Sequence, residues 1–253
     1  MAFCRYCGRK LAEGETCSCH SQASATASIP FTQRKVSALS LWKEYLSLLK
    51  APASQSVSYV RNGDLVSSLL FFLMHAICSG LFAVLCIGKV NNLINLGGAL
   101  TESLVLSKAS AFFLTLVYSL LLSGILTLLT LAGGKLLRGD LRPQQALCLT
   151  SLRSVISIPI TLLSCLFFFL NIPAGIILFF FAGLLGGIGF LTIGNDSIAG
   201  ISRNRKVYLS IIIPILFVLI FLFFSTKALP TYLPSSIRDL FSMQNIIKYI
   251  SAM

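Results

Sequence analysis

Between Ile156 and Ile193 the chain runs for 38 residues in which Asn171 is the only strongly polar side chain. As one helix this run would be about 57 Å long at 1.5 Å per residue, whereas a bilayer core is only about 30 Å thick. It therefore crosses twice, and Asn171-Ile172-Pro173 supplies the break. Asn tolerates turn geometry, and Pro173 presets φ for a helix that starts there. Composition excludes a soluble fold, because 56% of the 253 residues are hydrophobic and 11% charged, against about 25% charged in a soluble domain. Apolar runs this uniform also lack the alternating pattern of a barrel. The expected fold class is all-α integral membrane: a five-helix transmembrane bundle with a small N-terminal zinc ribbon.

Along the chain we expect a zinc ribbon at 1–22, a linker at 23–35, an amphipathic juxtamembrane segment at 36–60, a membrane domain at 61–225 and a tail at 226–253. The spans fall at about 65–87, 111–132, 145–170, 173–194 and 207–224. Val36, Leu39, Trp42, Leu46 and Leu49 recur at helical spacing. That helix is too short to span. It either lies at the inner membrane face, with Trp42 and Tyr45 at headgroup depth, or docks on the bundle, and Pro52 ends it. Gly88 to Lys108 reads as a loop, with Asn91, Asn92, Asn95, Gly97 and Gly98 as turn chemistry and room for a short surface helix within Leu93–Leu106. Ile237, Leu240, Phe241, Ile247 and Ile250 give the tail a loose amphipathic helix.

The eight cysteines divide in two. Cys78, Cys86, Cys148 and Cys165 are scattered in apolar runs, as small residues packing between helices. Cys4, Cys7, Cys17 and Cys19 crowd the first twenty positions. Cys4-Arg5-Tyr6-Cys7-Gly8 is a zinc knuckle: two intervening residues let both sulfurs reach one ion, and Gly8 lets the chain bend past the second. In Cys17-Ser18-Cys19-His20, either Cys19 or His20 completes a four-ligand structural site, with one Zn²⁺ per chain. Gly14 marks a turn between two short strands. The interval is too short for a DNA-reading finger, which needs a helix between its ligand pairs. Thiolates that hold zinc need a reducing compartment, so the N-terminus faces the cytosol. The first apolar run begins only near Leu65, so the first span acts as an uncleaved membrane signal.

Inside the spans, His75 and Cys78 stand three apart on one face. An ionisable residue there is a functional candidate; the blander reading is a neutral His bonded to a neighbouring helix. Arg153 lies in the first turns of the third span, where it snorkels back to the interface or binds a substrate. Pro159 kinks that helix without ending it. Asp140, in the polar turn before it, caps the turn or pairs with Arg138 or Arg142. Gly183 and Gly187 leave one face of the fourth span almost bare, a surface for close helix packing.

The net charge of +12 follows from cytoplasmic loops accumulating Lys and Arg, so no nucleic-acid partner is expected. With the N-terminus inside, fifteen basic residues fall on the inner side and five on the outer. The expected location is the cell membrane, multi-pass, with a cytoplasmic N-terminus and an extracytoplasmic C-terminus.

The ribbon, the linker, an amphipathic segment ending in Lys50-Ala-Pro52 and five spans resemble bacterial zinc-ribbon members of the Yip (Ypt-interacting protein) superfamily. The closest echoes are Gly134 to Pro159 (GKLLRGDLRPQQALCLTSLRSVISIP) and Asn195 to Tyr208, within a resemblance that covers residues 40 to 225. It implies that the first segment is a short inner loop with a glycine-rich turn and a helix opening that leads to a proline. The second would be the inner end of the fourth helix and a basic, serine-containing turn. Eukaryotic relatives are tied to vesicle traffic and small GTPases, and the resemblance implies no catalytic residues. It also favours Cys19 over His20, because Cys-x-Cys recurs in such ribbons while a following His varies.

Three functions then compete. The first is a non-enzymatic membrane protein whose ribbon recruits a partner while the bundle organises the membrane. Self-association through the ribbon and the glycine-rich fourth span belongs with it, as do membrane lipids as partners. All eight acidic residues lie in leaders, loops and span ends, so no proton relay is visible. The second is a small-solute transporter, with Pro159, Pro173 and Pro214 breaking helices and Arg153 binding an anion. The third is an intramembrane enzyme or redox protein using His75, Cys78 or the other thiols.

Overall fold

The computed structural model describes residues 2–3, 10–11, 37–96, 106–228 and 232. Cys4, Cys7, Cys17, Cys19, His20, the linker and nearly all of the tail lie outside them. The chain divides into two units, 1–35 and 36–253. In the first, β1 (Ala2–Phe3) pairs antiparallel with β2 (Lys10–Leu11), Ala2 opposite Leu11 and Phe3 opposite Lys10. The turn expected at Gly14 lies outside the described residues.

The second unit is helical. α1 (Ala38–Lys50) starts at a reciprocal cap, in which Ser40 N donates to Ser37 Oγ (3.1 Å) and Ser37 N to Ser40 Oγ (3.0 Å). Two otherwise orphaned N–H groups are thereby satisfied. Pro52 ends α1 and opens α2 (Pro52–Asn62), where its missing N–H costs nothing. Then come α3 (Leu65–Leu96), α4 (Lys108–Leu136), α5 (Pro143–Leu170), α6 (Ile172–Ile177), a π-helical turn (Leu178–Ala182), α7 (Gly183–Asn195) and α8 (Arg203–Ala228).

Five segments are long and apolar enough to cross a membrane: Leu65–Asn92, Lys108–Leu136, Pro143–Leu170, Ile172–Asn195 and Asn204–Thr226. Their outward faces are large and hydrophobic, as at Leu128, Leu185 and Phe223. This is a multi-pass membrane protein. α5 and α6 meet at Asn171, whose side chain accepts from Ala174 N at 3.1 Å, with Pro173 in the first turn that follows. α5 continues through Pro159, as expected.

One boundary differs. The expected loop from Gly88 is helical as far as Leu96. Asn91 does not turn the chain; its Nδ2 donates to Leu106 O (2.8 Å) and its Oδ1 accepts from Leu106 N (2.9 Å). A side-chain amide can copy a backbone pairing in this way, so α3 extends and clamps the strand of chain that leads into α4.

α5 is the central helix, packed by α3, α4, α6 and α7, while α8 lies on α4 and α7. The starts of α3, α5 and α8 and the ends of α4 and α7 share one end of the bundle, termed proximal here; α1 and α2 dock there, α2 against α5 and α7. Tyr45 and Leu48 of α1 join the core with Tyr59, Val60 and Phe71. Tyr45 and Tyr59 each set their ring 6.1 Å from Phe71. Tyr59 OH meets Ser68 Oγ (2.7 Å) and Ser151 Oγ (3.1 Å), tying α2 to α3 and α5. Burial pushes the Tyr45 phenol up to about 12 and raises that of Tyr59 further. Tyr45 is therefore a core residue, as the docked alternative for this helix expects. Leu39 and Trp42, on the other side of α1, stay exposed.

Leu48 is 1% exposed and Leu39 64%. Truncating a buried Leu costs about 2–5 kcal/mol. We expect Leu48→Ala to lower the thermal midpoint of the detergent-solubilised protein by several degrees and Leu39→Ala to leave it in place.

Candidate functional site

Two places gather polar chemistry. The first is the proximal end, where the α4–α5 turn meets the α7–α8 turn. Asp140 N donates to Ala199 O at 3.1 Å, an isolated antiparallel bridge. The approach requires unusual backbone, with Arg138 at φ 60° and Gly200 at φ 78°. A left-handed Arg costs on the order of 1 kcal/mol, whereas Gly200 takes that region freely. A Cβ on Gly139 would run into the Ile201 side chain, so the two turns touch through a bare backbone.

Cations close the helix ends there. Arg205 Nη1 donates to Leu137 O (3.4 Å) and Lys206 Nζ to Asp196 O (2.8 Å), complementing the negative ends of α4 and α7. Lys135, Arg138 and Arg142 remain exposed beside them. Asp140 makes no ion pair with Arg138 or Arg142 among the described residues; its backbone makes the bridge instead. Segments 134–159 and 195–208 thus meet at the Asp140–Ala199 bridge.

The second place is the interior. Arg153 does not run back to the interface. A Cβ on Gly187 would stand 2.7 Å from Arg153 Cγ and 3.2 Å from Cδ, so the stem lies against the bare backbone of α7. The guanidinium carbon sits 4.9 Å from the centre of the Phe217 ring of α8, a cation–π contact. Phe217 lies fourteen residues past Arg203, so the head group stands well away from the proximal end of α8. His75 also departs from expectation. Its Nε2 is 3.5 Å from Ser79 Oγ on its own helix, and its Nδ1 has no partner among the described residues. Cys78 is half-buried, and no group of three His, Cys, Asp or Glu able to hold a metal occurs among the described residues. Of the scattered cysteines, Cys148 is fully buried, accepting from Ser68 Oγ at 3.2 Å; Cys78, Cys86 and Cys165 are half-buried.

The glycine face of the fourth span packs as expected at Gly187, with Gly186 and Gly194 beside it, while the surroundings of Gly183 lie outside what the structure describes. Gly186, Gly187 and Gly194 take the side chains of α5, while Gly189 meets nothing. No protein-family model, curated protein or solved structure matches the chain.

The turn-to-turn bridge is open to a direct check. Disulfide formation needs Cα atoms within about 7 Å. With Cys4, Cys7, Cys17 and Cys19 replaced by Ser, Asp140→Cys plus Ala199→Cys should cross-link on mild oxidation. Leu128→Cys plus Ala199→Cys should not.

Proposed function

We propose that this chain is a non-enzymatic, Yip-like multi-pass membrane protein whose cytosolic zinc ribbon is a protein-interaction module and whose bundle organises the membrane around it. One observation carries this reading: the two segments that resemble the Yip superfamily, far apart in the chain, bond to each other at the Asp140–Ala199 bridge. That surface lies at the end of the bundle where α1 and α2 dock. The positive-inside count assigns this end to the cytosol, with the C-terminus outside. Exposed Lys135, Arg138 and Arg142 then face an anionic leaflet, each contributing about 1 kcal/mol near the surface.

The ribbon reading rests on Cys4, Cys7, Cys17 and Cys19, with His20 as the alternative fourth ligand. The pairing of Ala2–Phe3 with Lys10–Leu11 is compatible with it, because Cys4 and Cys7 fall between the two strands in the sequence, and a knuckle holds two such sulfurs to one ion. Zn²⁺ bound there would supply folding energy and no chemistry. Its expected product is a rigid surface for a protein partner or a second copy. A small-solute transporter is the second reading, and Arg153, enclosed in the bundle, is the observation that favours it.

Zinc analysis of the purified chain should give close to one ion per chain, falling to near zero in Cys4→Ser. Crosslinking and pull-down with Cys4→Ser and Cys7→Ser should lose a partner that the unaltered chain captures. Unchanged partners would remove the adaptor reading. Solute uptake into liposomes that disappears in Arg153→Ala would favour the transporter instead.

A further inference from the structure

Arg153 is the only charged residue in the five spans that stands away from a helix end. It lies ten residues past Pro143, about 15 Å along the 28-residue α5, a little to the proximal side of that helix's midpoint. Among the described residues nothing accepts a hydrogen bond from its guanidinium; Phe217 offers only a ring face. Its stem and head group pack against α7 and α8 and keep an intermediate share of accessible surface.

Two further polar atoms lack partners among the described residues: His75 Nδ1 and Ser157 Oγ, on residues 6% and 3% exposed. The register of α3 on α5 sets them at a similar depth. Ser68 touches Cys148 near the proximal end, and the Phe82 and Phe168 rings lie 5.5 Å apart toward the other. The midpoints of those two contacts are His75 and Ile158, the neighbour of Ser157. Ser157 is also one turn beyond Arg153 on the same side of α5. His75 in turn lies within electrostatic reach of Arg153.

An uncompensated guanidinium and two orphaned polar groups in low dielectric are costly. A planar carboxylate would fill the Arg fork alone. A tetrahedral oxyanion presents oxygens in several directions, so it can accept from the fork of α5, the Ser157 hydroxyl and a ring N–H of α3 together. We propose that Arg153, Ser157 and His75 form an intramembrane binding site for a phosphate-type oxyanion. The phosphate arrives either as a lipid headgroup or as the free ion. The site is independent of the zinc ribbon and requires no transport.

The test uses the full chain purified in a mild detergent. In one arm, native mass spectrometry measures binding of phosphatidylglycerol against phosphatidylcholine. In the other, inorganic phosphate is titrated against chloride at matched ionic strength, and the thermal midpoint is read. One arm or both should show binding: the lipid arm alone identifies a headgroup, the phosphate arm alone a free anion. Losing one charge-assisted hydrogen bond corresponds to roughly tenfold in affinity. Arg153→Gln should therefore weaken binding at least that much, Ser157→Ala and His75→Gln by about threefold or more, and Arg153→Lys less than Arg153→Gln. Lys108→Gln, at the exposed start of α4 and away from both the basic proximal surface and the interior, should bind as the unaltered chain does. If Arg153→Gln fails to fold, Ser157→Ala and His75→Gln decide. The proposal is overturned if the unaltered chain binds neither probe, if the interior variants all bind like it, or if Lys108→Gln loses as much ligand as they do.

Discussion

The close seating of α7 on α5 determines where everything else in the membrane block can stand. Gly187 and Gly194 bring the backbone of α7 against Arg153, Leu149 and Leu152, so closely that a methyl group at either position would overlap them. Leu149 and Leu152 are completely buried as a result. In lipid the gain is dispersion and not the hydrophobic effect, because tails are as apolar as leucine. Contact must therefore be intimate, and only a bare helix side permits it. The same groove gives the stem of Arg153 a channel to follow, so a cation can lie deep in the bundle. α5 then serves as the common wall for α3, α4 and α7, and its row of Ser and Thr side chains is covered from several directions.

At the proximal end the constraint changes from packing to termination. Four helix ends and two turns crowd together, and each exposed carbonyl needs a donor. Arg205 and Lys206 supply two, the Asp140–Ala199 bridge joins the turns, and α2 covers the adjoining surface through Tyr59. Among the described residues this end combines those cross-links with the basic side chains of Lys135, Arg138, Arg142, Arg205 and Lys206. A chain that recruits partners or reads lipid charge would present them a rigid, positive surface there.

Much of this architecture was legible in the residues, and the exceptions have physical causes. The hairpin at Asn171, the passage of α5 through Pro159 and the five spans follow from length, hydropathy and Pro or Asn at the breaks. Packing on a glycine face followed too, at Gly187 with Gly186 and Gly194 beside it. What failed or stayed open depended on partners distant in sequence. Asn91 looks like turn chemistry until Leu106 is seen to accept and donate to its amide. Tyr45 fits either an interface anchor or a docked helix until Phe71 is seen to cover it. Arg153 sits few enough residues from the α5 start to snorkel, and nothing local reveals that Gly187 and Phe217 hold it inside. His75 was singled out, but its depth relative to Ser157 is set by the register of α3 on α5. The Asp140–Ala199 bridge left one trace, the two glycines Gly139 and Gly200 in otherwise unrelated turns. The ribbon cysteines lie outside the described residues, and β1–β2 adds only the pairing around Cys4 and Cys7.

The seating of α7 on α5 around Arg153 is tested most directly by enlarging two glycines on the same helix. Gly187 faces Arg153, whereas Gly189 faces open space. Overpacking a tight contact costs about 1–3 kcal/mol or more, while replacing an unpacked helical Gly removes a propensity penalty of about 1 kcal/mol. Thermal unfolding of the two variants in one detergent should show Gly187→Leu falling by several degrees and Gly189→Leu holding or rising. Equal midpoints for the two variants, or a larger loss in Gly189→Leu, would contradict this arrangement of α5, α7 and Arg153.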